Sequence, residues 1–434
     1  MKTATMGLRG VGRFVWVLGA LSLGLLGTGC TQECVDPFDC VTQNGTPPRG
    51  REYVCEDNRC VERDLPDAGS DPTDGGNEPT DGGNEPTDAG TDAGVACADL
   101  PHDAKLGTLQ LQTGYAAAES AALPEGISAV TALQSGTDFK LYGLNGIDNS
   151  IYELGTWPNV VASTTPLQPV IPEADRGSGT FLSGFLANDG TRLLAGYTKS
   201  GPIENIPGSV LVYDTASPDK SAHVSANGNF SAVGISGAFL FSGQGVQGSS
   251  EGGSGIYALK TASAPFQGVK LATFPVAAPS SGYTAATSQE IAVLGYSVPS
   301  PSGPFDPYIN HLLAVAPATY TPALSGGTTL ALTAENAPEI YAGSDLFAVA
   351  GFGQGVALHR AHFDESYKTI TNDVSRIELT TGVDPKTVTV GALAPVLTTQ
   401  NTCTNVVLMA PQGTNLLVGV TDKNGSRLVL LQKQ

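Results

Sequence analysis

Few of the 434 residues are basic: 22 Lys and Arg stand against 41 Asp and Glu, for a net charge of −19. So acidic a chain repels phosphate, which argues against nucleic acid as a partner. Charged residues of either sign make up only 15% of the chain, whereas glycine occurs 54 times. That balance excludes a charged helical bundle and favours short strands joined by turns. No C-x-x-C pair occurs, so neither a thiolate metal site nor a dithiol redox motif is indicated. Gly-x-Ser-x-Gly, His-Glu-x-x-His and P-loop patterns are also missing. The sequence therefore offers no catalytic, metal or cofactor-binding residue. The apolar run Phe14–Leu26 is shorter than the roughly 20 residues needed to span a bilayer.

What is present begins at the N-terminus. Lys2, Arg9 and Arg13 precede that apolar run, and Gly27-Thr28-Gly29-Cys30 follows it. A basic region, a short apolar region and small residues describe a secretory signal peptide, residues 1–29. The cysteine placed directly after them resembles the lipobox of bacterial lipoproteins, in which that thiol is acylated after cleavage. One position departs from the pattern: Gly27 stands where the family usually has Leu, and Leu26 lies one step earlier. The resemblance implies an anchor on Cys30, the membrane as a partner, and an outer-membrane lipoprotein of the cell envelope, facing the periplasm or the surface. The rival reading is an ordinary cleaved signal with a coincidental cysteine. Cleavage would remove three bases and no acids, leaving 19 Lys and Arg against 41 Asp and Glu.

Six cysteines then remain, Cys34, Cys40, Cys55, Cys60, Cys97 and Cys403, an even number suited to disulfides in an oxidising compartment. The first four fall in residues 30–63, a module too small to hold a hydrophobic core, so disulfides must hold it. Three connectivities are open, and Cys34–Cys55 with Cys40–Cys60 is preferred. The spacing, just after a lipobox-like cysteine, resembles small modules of myxobacterial surface lipoproteins. Residues 64–94 repeat Asp-Gly-Gly-Asn-Glu-Pro-Thr at 74–80 and 81–87 and contain no base. Such a segment cannot bury a core and reads as a disordered tether, with an end-to-end distance of roughly 30 Å.

Residues 95–434 repeat. Six apolar strands end in glycine, at Gly143, Gly196, Gly243, Gly295, Gly351 and Gly419, and each is followed by a second strand such as Ser150–Leu154 or Ser209–Tyr213. A period near 50 residues with several short strands per unit predicts an all-β fold, a six-bladed β-propeller. The last unit lacks an outer strand, and Lys105–Thr113 is expected to close it. A bond between Cys97 and Cys403 would fasten that closure. WD and kelch marks do not recur, and an extended β-sandwich pair is the alternative fold.

Gly243-Gln-Gly-Val-Gln-Gly248 matches a dinucleotide fingerprint but precedes no helix, so it reads as a hairpin loop. Asn188-Asp-Gly190 and Asp422-Lys-Asn-Gly425 read as tight turns. Long gaps at 199–208, 244–254, 297–309 and 353–373 are expected to gather on one rim, where a rigid scaffold displays binding residues. The candidate rim residues are Glu204, Phe305, Asp306, Tyr308, His359, His362, Phe363 and Tyr367. The predicted innermost strands carry few acids, His or Lys, which favours a non-catalytic envelope protein that binds a ligand or another protein. A surface hydrolase or lyase on the same scaffold is the alternative.

Overall fold

The body is built from strands buried on both faces. Leu193 and Leu194 are neighbours and both fully buried, yet they enter different cores. Leu193 packs with Leu144 and Ile151, whereas Leu194 packs with Phe239 and Tyr257. Successive side chains leave opposite faces of a strand, so an unbroken apolar run is what a sheet between two other sheets requires.

The computed structural model describes residues 51–56, 59–64, 97, 100–161, 163–170, 181–199, 207–227, 231–243, 245–249, 253–262, 264–274, 282–300, 308–326, 329–363, 369–399, 401 and 403–434. The chain divides into two units, residues 1–91 and 92–434. In the first, β1 (Arg51–Glu56) and β2 (Arg59–Asp64) form an antiparallel hairpin with Cys55 opposite Cys60. Cys60 is disulfide-bonded. The rest of the module's connectivity, Cys30, Cys34, Cys40, the signal segment and the tether lie outside the described residues.

In the second unit β3 (Gln110–Leu111) and β4 (Tyr115–Ala122) precede six sheets. Blade 1 holds β5 (Ile127–Ser135), β6 (Asp138–Asn145), β7 (Ser150–Thr156) and β8 (Asn159–Val160), with β9 (Gln168–Pro169) also on β7. Blade 2 holds β10 (Phe181–Asn188), β11 (Arg192–Lys199), β12 (Pro207–Asp214) and β13 (Ala222–Asn227). Blade 3 holds β14 (Ala232–Ile235), β15 (Ala238–Gly243), β17 (Gly255–Lys260) and β18 (Gln267–Thr273), while β16 (Gly245–Val246) reaches back to β13. The glycine-rich segment is thus not simply a loop: part of it extends the edge of blade 2. Blade 4 holds β19 (Gly282–Ala286), β20 (Ala292–Pro299), β21 (Tyr308–Val315) and β22 (Glu339–Gly343), with helix α1 (Pro317–Gly326) between the last two. Blade 5 holds β23 (Leu346–Phe352), β24 (Gly355–Phe363), β25 (Thr369–Thr381) and β26 (Val388–Thr398). Blade 6 holds β27 (Thr404–Gln412), β28 (Asn415–Asp422) and β29 (Gly425–Lys433).

The ring closes with an N-terminal strand, but not the one expected. β4 pairs with β29 as the outer strand of blade 6, and β3 extends blade 5 beyond β26. The residues just before them lie on blade 6: the backbone N–H of Thr108 donates to Thr404 Oγ1 at 2.8 Å, and Arg427 Nε donates to the Lys105 carbonyl at 2.5 Å. Cys97 and Cys403 are joined in a disulfide, with Cys403 one residue before β27.

Among the described residues six hydrophobic cores lie one between each pair of adjacent blades. Polar links follow the same ring. Asn188 Nδ2 donates to Thr131 Oγ1 at 2.6 Å between blades 1 and 2, and Thr261 Oγ1 donates to Asp189 Oδ2 at 2.7 Å between blades 2 and 3. Ser231 and Thr284 hydroxyls meet at 2.9 Å between blades 3 and 4. The Ser288 N–H donates to the Gly353 carbonyl at 2.7 Å between blades 4 and 5. Asn372 Nδ2 reaches Asn405 Oδ1 at 3.4 Å between blades 5 and 6, and Trp157 Nε1 donates to Glu119 Oε2 at 2.9 Å between blades 6 and 1.

Candidate functional site

The first strand of every blade, β5, β10, β14, β19, β23 or β27, pairs on one side only. Its other edge faces the axis of the ring, so six edges bound a central channel. The channel holds a cavity of about 410 Å³, reaching from Ser128, Phe347 and Val407 at one end to Glu290 and Gly413 at the other. Small residues keep the wall tight. A Cβ on Gly234 would stand 1.7 Å from the Asn188 carbonyl oxygen, so blades 2 and 3 approach this closely only because glycine is there.

Ala129, Val233, Val349 and Met409 line the cavity together with Phe347 and Val407. The last two are 59% and 44% exposed, an unusual state for large apolar side chains deep in a fold. Side-chain hydroxyls and amides in the wall are committed: Asn188 to Thr131, Ser231 to Thr284, and Thr287 Oγ1 to the N–H groups of Gln289 and Ile291. Among the described residues two titratable ones line the cavity, His359 and Glu290, and no Lys or Arg does. His359 is 2% exposed; its Nε2 donates to Asn372 Oδ1 at 2.5 Å and its ring meets Phe347 edge-on at 5.3 Å. Burial holds its pKa below the usual histidine value, against the weaker opposing pull of Asn372 and Asp373, so the ring is neutral near pH 7. Glu290 is the one carboxyl side chain among the described residues of the cavity wall.

The expected rim is only partly on view. Glu204, Phe305, Asp306 and Tyr367 lie outside the described residues. Tyr308 begins β21 opposite Pro299 and is 41% exposed, a position at the end of blade 4 where strands give way to loop. The expectation of one loop over 353–373 is wrong. β24 and β25 fill most of it, and His359, His362 and Phe363 belong to β24. The misreading arose because Phe347–Gly351 resembles the second strand of the other units, whereas β23 is the first strand of blade 5. Its Gly351 serves another purpose: a Cβ there would lie 2.1 Å from the Ala286 carbonyl oxygen of blade 4. Beside this strand Arg360 Nη2 grips Asp373 at 3.0 and 3.1 Å and Nη1 faces Asp345 at 3.6 Å, so the guanidinium is held between two carboxylates. Sequence reasoning did not single out Glu290; its signal was the absence of glycine from the hairpin Thr287–Ile291.

No protein-family profile and no curated protein matches the chain. Among solved structures it is similar to a chain of the mitotic checkpoint complex, at 10% identity over 84% of this chain and 99% of that one, with a TM-score of 0.35. It is also similar to the β-propeller domain of the Trilobed protease from Pyrococcus furiosus, at 8% identity over 71% of this chain and 96% of that one, TM-score 0.34. A third is acylaminoacyl peptidase from Pyrococcus horikoshii, at 10% identity over 71% of this chain and 44% of that one, TM-score 0.38. Similarity this distant says nothing about ligand or reaction; the propeller stands on its own six sheets.

Proposed function

We propose that the protein is a lipid-anchored component of the cell envelope, tethered through Cys30, whose propeller binds a ligand or another protein without catalysis. The observation that carries the binding half is the channel wall. A propeller enzyme needs several groups able to move protons or stabilise charge at the reacting centre. Here the cavity has one carboxylate and one neutral, hydrogen-bonded histidine amid small and apolar side chains. A concave pocket whose wall alternates apolar side chains with polar groups held in place by hydrogen bonds suits recognition. The anchor half is supported by Lys2, Arg9 and Arg13 before a short apolar run, and by the small residues before Cys30.

Metabolic labelling with a fatty-acid probe tests the anchor. Wild type takes up label and partitions with membranes; Cys30→Ser loses both. Equal label on the two proteins refutes the anchor. Among the described residues no helix is long and apolar enough to cross a membrane, so a membrane-bound wild type with an unlabelled Cys30 would require another attachment.

A further inference from the structure

Each hairpin joining the first two strands of a blade contains one residue with positive φ. In five blades it is glycine: Gly136, Gly190, Gly237, Gly353 and Gly413, at φ 65°, 91°, 75°, 60° and 58°. In blade 4 it is Glu290, at φ 59°. A side chain is disfavoured in this left-handed region, and non-glycine residues persist there when their surroundings hold them. Blade 4 supplies that hold. Glu290 N–H donates to the Thr287 carbonyl at 2.9 Å, Tyr320 OH of α1 donates to the Glu290 carbonyl at 2.7 Å, and Glu290 Oε1 accepts the Ser236 N–H at 2.9 Å. One turn out of six thus departs from glycine, and among the described residues its side chain is the lone carboxylate lining the channel.

We propose that Glu290 is the recognition residue of the channel, and that the ligand is a small amphipathic organic cation: an ammonium head at Glu290 and an apolar body towards Phe347 and Val407. The inference deepens the binding reading above and rests on it. Among the described residues the cavity lining carries no Lys or Arg, and a net charge of −19 favours cations over anions. Glu290 Oε2 accepts no hydrogen bond among the described residues, which leaves one carboxylate oxygen for an N–H donor. Along the first strand of blade 5 the lining runs over five residues, from Phe347 to Gly351. At the rise of a strand this is roughly 13 Å, long enough for an extended eight-carbon chain.

The test is calorimetric titration of the full chain with octylammonium, 1-octanol and octanoate, in wild type, Glu290→Gln and Glu290→Gly. Wild type is expected to bind octylammonium at least about tenfold more tightly than octanol, the range of a charge-assisted hydrogen bond, and octanoate more weakly than either. Both variants should bind octylammonium and octanol alike. Glu290→Gly installs the residue of the other five turns, so its melting temperature should not fall below that of wild type, which separates recognition from folding. Equal binding of octylammonium and octanol by wild type overturns the role of Glu290 and leaves a binding channel standing. Persistence of the preference in both variants also overturns it. Failure of all three compounds to bind overturns the channel as a site, and with it the binding reading, whatever the labelling of Cys30 shows.

Discussion

Single residues set the spacing of the ring and part of its response to pH. Gly234 is needed because the next blade's backbone occupies the place of a Cβ. Gly234→Ala should cost roughly 1–3 kcal/mol as an overpacking change, read as a lower urea midpoint with an unchanged slope. His359 titrates in the opposite sense to a histidine in an ion pair, since burial depresses its folded pKa. Its neutral form is stabilising above the ordinary value of 6.5. As pH falls through that value the unfolded chain takes up a proton that the folded chain refuses, so stability drops. The loss of stability between pH 7 and 5.5 should be smaller in His359→Gln than in wild type. Glu378 sits lower on the scale: hydrogen bonds from Arg376, aided by Lys433, hold it at about 2. Its contribution is complete above 4.5 and disappears as pH falls towards 2.

At the scale of strands, the sequence was legible wherever a strand is buried on both faces. Middle strands such as β11, β15 and β28 appear as short apolar runs because two neighbouring blades each claim alternate side chains. Elements whose pattern is set by a partner were missed. β4, Tyr-Ala-Ala-Ala-Glu-Ser-Ala-Ala, is rich in alanine and has no strand signature, yet it completes blade 6 because the exposed edge of β29 accepts it. β24 was hidden by the polar run His359, Arg360 and His362; the partners of the first two, Asn372 and Asp373, come from the adjoining β25. Glu290 left one trace in the sequence, a hairpin without glycine, but which residue takes the positive φ there is visible only in the backbone. Burial now separates the substitutions. Leu294→Ala on β20 and Leu358→Ala on β24, both buried, should each cost about 2–5 kcal/mol. Tyr308→Ala, at the exposed end of β21, should stay within about 0.5 kcal/mol of wild type. A large loss from Tyr308→Ala would place that tyrosine in a core.

For the whole molecule, one covalent bond and one strand pairing fasten the ring at the same blade. The Cys97–Cys403 bond spans 306 residues of sequence, for which the chain-entropy treatment gives about 6 kcal/mol as an upper figure. Reduction should therefore lower the melting temperature of the body while leaving the blades' strand content intact at low temperature. A free Cys97 in non-reducing peptide mapping would remove this contribution.

Closure also imposes an order of events. A chain made from its first residue onward produces β4 before any blade and β29 last of all, so the outer strand of blade 6 waits for nearly the whole body to appear. During that interval β4 and Cys97 have no native mate, while the cysteines at 34, 40, 55 and 60 have already been made. The native bond therefore requires that Cys97 be free, or be released by exchange, when Cys403 arrives. The same arrangement makes the ring its own completeness check: a chain interrupted anywhere before residue 415 can build its early blades but leaves β4 without a partner strand. An unpaired strand edge of that kind invites aggregation and proteolysis, so truncated copies are marked for removal by the feature that locks the finished ones.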